Sequence, residues 1–317
     1  MTMKTYVIST VATLIAVVAA LPADPASAAE KTKVVATFSI LGDLVTQVGG
    51  DRVDVSTLVD ADGDAHVYSP TPADAKTVKA AKIVFVNGLG FEGWIDRLIK
   101  ASGTGATIVT ASKGVTPIEG EEEEGEHDKA SDKKEDAGHD HGQFDPHAWQ
   151  SVGNAKLYVG NIRDALIAVD ADGKATYEAN ATAYLAKLDE VEKEVKDAIA
   201  KIPADRRRVI TSHDAFTYFA RDYGMEFIAP QGVSTETEAS AKDVAKIITQ
   251  IKAEKIPAVF IETITDTRLV ERIAKETGAK IGGKVYSDAL SDAKGPAATY
   301  VDMMRHNIKQ FAAALTS

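Results

Sequence analysis

The sequence predicts an α/β protein of two lobes, each built on a mainly parallel sheet flanked by helices, with a cleft between them. Two observations carry this. Short apolar runs suited to buried strands alternate with stretches of helical periodicity in both halves of the chain. Two long helical stretches without an intervening strand, Asn154 to Val169 and Tyr177 to Ile202, separate the alternating halves. A chain of 317 residues is long enough to give each lobe its own core.

In the first half, Val34 to Phe38 is a buried-strand candidate, and Ile40 to Val48 carries apolar residues at helical spacing before a Gly49-Gly50 stop. Val53 to Val59 alternates like a strand. A helix in DAKTVKAA leads to a strand over Lys82 to Gly88, then a helix in FEGWIDRLIKAS and a strand in ATIVTAS. The second half repeats the alternation. RRVITS is a strand, AFTYFARDYG a helix closed by Gly224, and MEFIAP a strand. Ser240 and Asp243 have capping-box spacing at the start of AKDVAKIITQIKAEK. The strand AVFIET, the helix RLVERIAKETG, the strand end KVYSDAL and a terminal helix complete the pattern.

The amino terminus is a targeting segment. Lys4 precedes an apolar run from Val7 to Leu21, followed by Pro22, Pro25 and Ala26-Ser27-Ala28. This is the form of a secretory signal peptide, with cleavage expected near Ala28; the run falls short of the ~20 residues needed to span a bilayer. The expected division is a signal peptide over 1–28, a first lobe over 29–153, a linking helical region over 154–176 and a second lobe over 177–317.

Composition narrows the chemistry. A formal net charge of −11 argues against a nucleic-acid partner, which would demand clustered Lys and Arg, and against an anionic membrane surface. With no cysteine, any metal site must be built from His, Asp and Glu. Most of the negative charge lies in one insertion, residues 119–142, which holds eleven acids against three lysines and no apolar residue larger than Ala. Such a segment cannot offset its ordering entropy and is expected to be disordered.

Ligands of parallel α/β sheets bind beyond the carboxyl ends of strands. His66 follows the strand Val53 to Val59, His147 precedes the helix near Asn154, His213 follows RRVITS, and Asp288 follows KVYS. Three imidazoles and one carboxylate match zinc's preference for four N/O ligands in a tetrahedron. Any one of these residues alone would pass as ordinary; their shared placement at loop ends singles them out. His306 reads as an unremarkable helical residue, and Glu238 and Glu262 as structural acids near strand ends.

The segments VVATFSILGDLV, DAHVYSPTPADAKTVKAAKIVFVNGLGFEGW, FDPHAW, SHDAFTYFARDYG, STETEASAKDVAKIITQIKAEKIPAVFIET and YSDAL together resemble the cluster A-I solute-binding proteins of zinc and manganese ABC transporters, the TroA, ZnuA and PsaA type. The resemblance covers nearly the whole chain after the signal segment. It implies two α/β lobes joined by one long rigid helix, with the metal held in the inter-lobe cleft by His66, His147, His213 and Asp288. One departure is Ala65, where the motif usually has Pro.

The function implied is a periplasmic protein, not an enzyme, that captures Zn2+ and delivers it to a membrane permease and its ATPase. Mn2+ is the alternative; in the family this sequence resembles, a second carboxylate in place of the third His favours manganese, and this chain has His213 there. A monomer is expected, and a periplasmic metallochaperone is a further candidate partner. His127, His139 and His141, in or at the edge of the acidic insertion, read as a weak metal collector that raises the local zinc concentration. Metal affinity is expected to fall below about pH 6, near the reference value of imidazole. The rival classes are an exported zinc hydrolase, for which no H-E-x-x-H is present, and a metal-storage protein or adhesin of the same fold.

Overall fold

The computed structural model describes residues 30–120 and 144–316. The signal segment and His127, His139 and His141 lie outside the described residues. In the first half, Thr32–Phe38 (β1), Val53–Val59 (β2), Ile83–Val86 (β3) and Thr107–Thr110 (β4) form a parallel sheet of order β2-β1-β3-β4. Helices Ser39–Gly49 (α1), Pro72–Ala80 (α2) and Ile95–Ser102 (α3) alternate with them. In the second half, Arg208–Ile210 (β5), Glu226–Ile228 (β6), Ala258–Glu262 (β7) and Lys280–Val285 (β8) form a second parallel sheet in the equivalent order, β6-β5-β7-β8.

Val152–Val169 (α4) and Lys174–Ala200 (α5) connect the sheets; Thr217–Tyr223 (α6), Ala241–Glu254 (α7), Thr267–Thr277 (α8) and Tyr300–Leu315 (α9) complete the chain. The expected α/β architecture is therefore present, with both sheets wholly parallel among the described residues. No helix among these residues is long and apolar enough to cross a membrane.

Central strands show why these runs fold as they do. Every residue of β1 except Lys33 is buried, as a strand covered on both faces requires. All five residues of β7 are buried, so Glu262 at its end needs a partner inside the protein. Some strands end earlier than the apolar runs suggest, although β1 and β2 end where expected. The run Lys82 to Gly88 leaves the sheet at Val86 because the amides of Asn87 and Gly88 turn to the carboxylate of buried Glu92, at 2.6 and 3.3 Å. Gly88, Leu89 and Gly90 then all take positive φ, and the helix expected from Phe91 starts only at Ile95.

The longest helix, α5, has 27 residues, about 40 Å at 1.5 Å per residue. Its buried stripe, Tyr177, Ala181, Tyr184, Leu188, Val191, Val195 and Ile199, repeats every three or four residues. It packs against α1 of the first half and against α6 and α9 of the second. A single apolar core consequently runs from Val34 and Phe85 through this helix to Phe216, Phe260 and Leu315. A smaller cluster beneath α7 and α8 serves the far side of the second sheet.

The strand order reverses between β1 and β3 and between β5 and β7. At such switch points the loops beyond the carboxyl ends diverge and leave a crevice. His213 leaves β5 and Glu262 ends β7, on either side of the second crevice.

Candidate metal centre

His66 is carried by the loop that follows β2. The Asp64 carboxylate accepts the His66 amide at 2.9 Å, and Trp94 Nε1 donates to the Ala65 carbonyl at 2.8 Å. Downstream, Tyr68 donates its hydroxyl proton to Asp74 at 2.9 Å, while Thr71 and Asp74 form a full capping box on α2. The motif DAHVYSPTPAD thus encodes a loop tied to the start of the next helix. The Ala65 carbonyl accepts from Trp94, a backbone contact that Pro and Ala supply alike.

His147 sits in a tight turn before α4. One oxygen of Asp145, Oδ1, lies 2.8 Å from both the His147 amide and His147 Nδ1. The turn is fixed by Asn87, which donates to the Pro146 carbonyl at 2.9 Å, and by Tyr218, which donates to the Asp145 carbonyl at 2.8 Å. Asp145 also donates its amide to the Ile118 carbonyl at 2.9 Å, next to an antiparallel bridge between Glu119 and Phe144. The two ends of the acidic insertion are therefore paired three residues from His147.

His213 lies three positions past β5, and Asp288 three positions past β8. Glu262 Oε1 accepts the amides of Ser212 and His213 at 2.7 and 2.9 Å, while its Oε2 lies 2.6 Å from His213 Nδ1. Trp149 Nε1 and Gln150 Nε2 both donate to the Ser287 carbonyl, at 2.9 and 2.6 Å, fixing the peptide before Asp288.

These loops bring His66, His147, His213 and Asp288 together, with one ligand-type atom of each within 4.8 Å of all the others. His66 Nε2 is 3.3 Å from His147 Nε2, and Asp288 Oδ2 is 3.2 Å from Nε2 of both His66 and His213. Asp288 Oδ1 is 3.5 Å from His147 Nε2. A tetrahedron with ligand lengths of about 2.0–2.1 Å has edges of about 3.3 Å, so these separations suit one shared ion. His66 is 7% exposed and the other three are fully buried. Neither oxygen of Asp288 nor Nε2 of His213 has a hydrogen-bond partner, so three buried polar atoms face one another with no protein group to satisfy them.

Electrostatics follow from the buried acids. Burial opposes charge on His147, but Asp288 and Asp145 outweigh it and raise the imidazole to about 9. Burial likewise opposes charge on His213, yet Glu262 and Asp288 hold it well above its ordinary value. At His66 burial wins and lowers the value despite Asp288. Burial pushes Asp288 up, but His147 and His213 draw it well below the usual carboxylate range. The metal-free site therefore stores protons on two of its imidazoles, and the expected loss of affinity below about pH 6 moves to higher pH.

Of the two acids read as structural, Glu238 is exposed and Glu262 is fully buried against His213. His306 donates from Nε2 to the Lys284 carbonyl at 3.0 Å. The supporting acids Asp64 and Asp145 received no role from the sequence, although both occur as D-x-H, the spacing at which an Asp side chain accepts the amide two residues on.

Residues 34–314 match the family described as ZnuA, zinc-uptake complex component A, periplasmic. The chain is 33% identical over 287 residues to the manganese-binding lipoprotein MntA of Halalkalibacterium halodurans, covering 90% of this chain and 89% of that protein. It is 31% identical over 297 residues to the metal ABC transporter substrate-binding lipoprotein SsaB of Streptococcus sanguinis, covering 91% of each. Among solved structures, the periplasmic zinc-binding protein TroA of Treponema pallidum superposes with a TM-score of 0.80 at 29% identity, over 90% of this chain and all of that one. The chain belongs to the ZnuA family, a group of metal-binding substrate-binding proteins of ABC transporters and not of enzymes.

Proposed function

We propose that this protein captures Zn2+ in the periplasm, in a site of His66, His147, His213 and Asp288, and passes it to the permease and ATPase of an ABC importer. The observation that carries the zinc reading is the donor set: three imidazoles and one carboxylate, with one ligand-type atom of each within 4.8 Å of the others. Imidazole suits zinc, whereas manganese favours carboxylate, carbonyl and water oxygens. Carboxylates behind two of the imidazoles raise their basicity and strengthen this preference. Four protein ligands leave no open position for an activated water, as befits a carrier.

A second reading, manganese, has its own support. Relatives such as MntA are named for manganese, and both Asp288 oxygens lack hydrogen-bond partners, which leaves the carboxylate free to bind in bidentate fashion and add a fifth donor. Metal analysis of the protein recovered from its native compartment decides between them, because zinc outcompetes manganese at most nitrogen and oxygen sites whatever the cargo. One zinc per chain in that material supports zinc; manganese in its place sinks it.

Export through the signal segment, with cleavage near Ala28, gives a periplasmic location. The 317-residue sequence holds no cysteine thiol for lipid attachment, which supports a soluble form, and the protein acts as a monomer in this reading. The helical link between the lobes is assigned to α4 and α5 together, because α5 runs unbroken through residue 177. A metallochaperone donor and a collecting role for His127, His139 and His141 belong to the same reading.

A further inference from the structure

The two fully buried imidazoles of the site are each braced by a carboxylate, but the bracing differs atom by atom. Asp145 meets both the amide and Nδ1 of His147 with the single oxygen Oδ1, and its Oδ2 has no hydrogen-bond partner. Glu262 divides the work. Its Oε1 is occupied by the amides of Ser212 and His213, and only Oε2 faces His213 Nδ1. His213 Nδ1 and Glu262 Oε2 meet as a buried ion pair at 2.6 Å, and neither atom has a hydrogen-bond partner. Both acids are buried, so water cannot replace either contact.

The difference has a chemical consequence for which ring nitrogen carries the proton. A neutral imidazole that binds metal through Nε2 must carry its proton on Nδ1, and that proton needs an acceptor. An amide in place of Asp145 still offers one oxygen at the position that takes both contacts, with its NH2 falling where Oδ2 now has none. An amide in place of Glu262 cannot satisfy both sides. If its oxygen keeps the two backbone N–H groups, its NH2 faces Nδ1 and requires a lone pair there. The proton then moves to Nε2, the nitrogen aimed at Asp288. If the amide turns over, two buried N–H donors face an NH2 group instead of an acceptor.

We propose that Glu262 is the positioning residue that sets the His213 tautomer, and that it does so through an oxygen no amide can replace, whereas Asp145 acts through one that an amide retains. The inference rests on the reading of these residues as a metal site. It gives a substitution pattern that loss of charge or of packing alone does not produce, since both changes remove one buried negative charge beside one imidazole.

The test measures zinc affinity of the full chain, Glu262→Gln and Asp145→Asn by competition with a chromophoric chelator, with ¹⁵N spectra of the histidine rings. Loss of affinity is expected to be about 100-fold for Glu262→Gln and about 10-fold for Asp145→Asn, within the range for residues behind a ligand. A loss at Glu262→Gln at least ~5-fold greater than at Asp145→Asn supports the inference, and a smaller difference overturns it. Should Glu262→Gln not fold, the zinc-loaded parent decides: a proton on His213 Nδ1 supports the inference, and metal on Nδ1 overturns it. His213→Ala separates the two levels. Unchanged zinc affinity in that variant removes the metal-site reading itself. A loss there without the Gln/Asn difference removes only the role of Glu262.

Discussion

Trp149 Nε1 donates to the Ser287 carbonyl at 2.9 Å, so the residue two places after His147 holds the residue immediately before Asp288. The same indole packs edgewise against Phe91 and His147, at 4.8 and 5.3 Å between ring centroids. One side chain thus couples the candidate ligand residue before α4 to the one beyond β8. Trp149→Phe removes the hydrogen bond and part of the buried ring while Gln150 still serves Ser287. The expected cost is ~1–3 kcal/mol in unfolding free energy. Urea midpoints with and without zinc test it. The coupling argument fails if the variant matches the parent in both.

Removing a ligand has a sharper effect than removing a support. His147→Ala deletes one of four donors in a closed site and is expected to weaken zinc binding by more than about 100-fold, the upper end for residues behind a ligand. Isothermal titration gives the number directly, and parental affinity would exclude His147 from the site.

Proton competition sets the pH dependence. In the metal-free protein His147 holds a proton up to about 9, and His213 is also held well above the ordinary imidazole value. Metal must displace both, so lower pH favours the protonated, metal-free form and weakens binding. Asp288 is already ionised at neutral pH and His66 already neutral, so neither adds a proton. Zinc binding at pH 7 is expected to release about two protons, and affinity is expected to climb through the neutral range. Titrations in buffers of different ionisation enthalpy count the protons; a heat independent of buffer would contradict the assignment.

Removal of the acidic insertion is expected to leave the centre undisturbed. Glu119 and Phe144 are bridged, and the Asp145 amide is bonded to Ile118, so the strand ends already meet. Replacing residues 121–142 with a short glycine-containing turn is expected to leave one tight zinc site and to abolish additional weak binding. Loss of the tight site would show that the insertion builds the centre. Persistence of the weak sites would remove the collecting role from His127, His139 and His141.

Bound zinc should also stabilise the fold, because the four ligands come from loops of both halves and converge only when it is formed. At a free metal concentration 1,000 times the dissociation constant the gain is about 4 kcal/mol. A melting temperature insensitive to zinc would contradict binding to the native state.

Periodicity alone made the sheets legible. Runs such as Val53 to Val59 are long enough to bury and are bounded by turn residues, and β2 spans those residues. Gly224 and Gly278 marked helix ends because both adopt the left-handed conformation that closes α6 and α8. Boundaries were less legible where a side chain from elsewhere takes the backbone, as Glu92 does at Asn87. The Ser240 cap is present, through the Asp243 amide, but the reciprocal capping box occurs at Thr71 and Asp74.

What the sequence determined by itself was the inventory: two alternating halves, the strand-end positions of His66, His147, His213 and Asp288, and a chain with no sulfur ligand of the thiolate kind. These are local matters, set by hydrophobic period and by which residues stand at loop ends. Tertiary structure alone decided that Glu262, 49 residues from His213 in the chain, would brace its ring, and that Trp149 would hold Ser287 from 138 residues away. Such contacts depend on parallel strands placing their carboxyl ends side by side, an arrangement that the residues near each acid or indole do not encode.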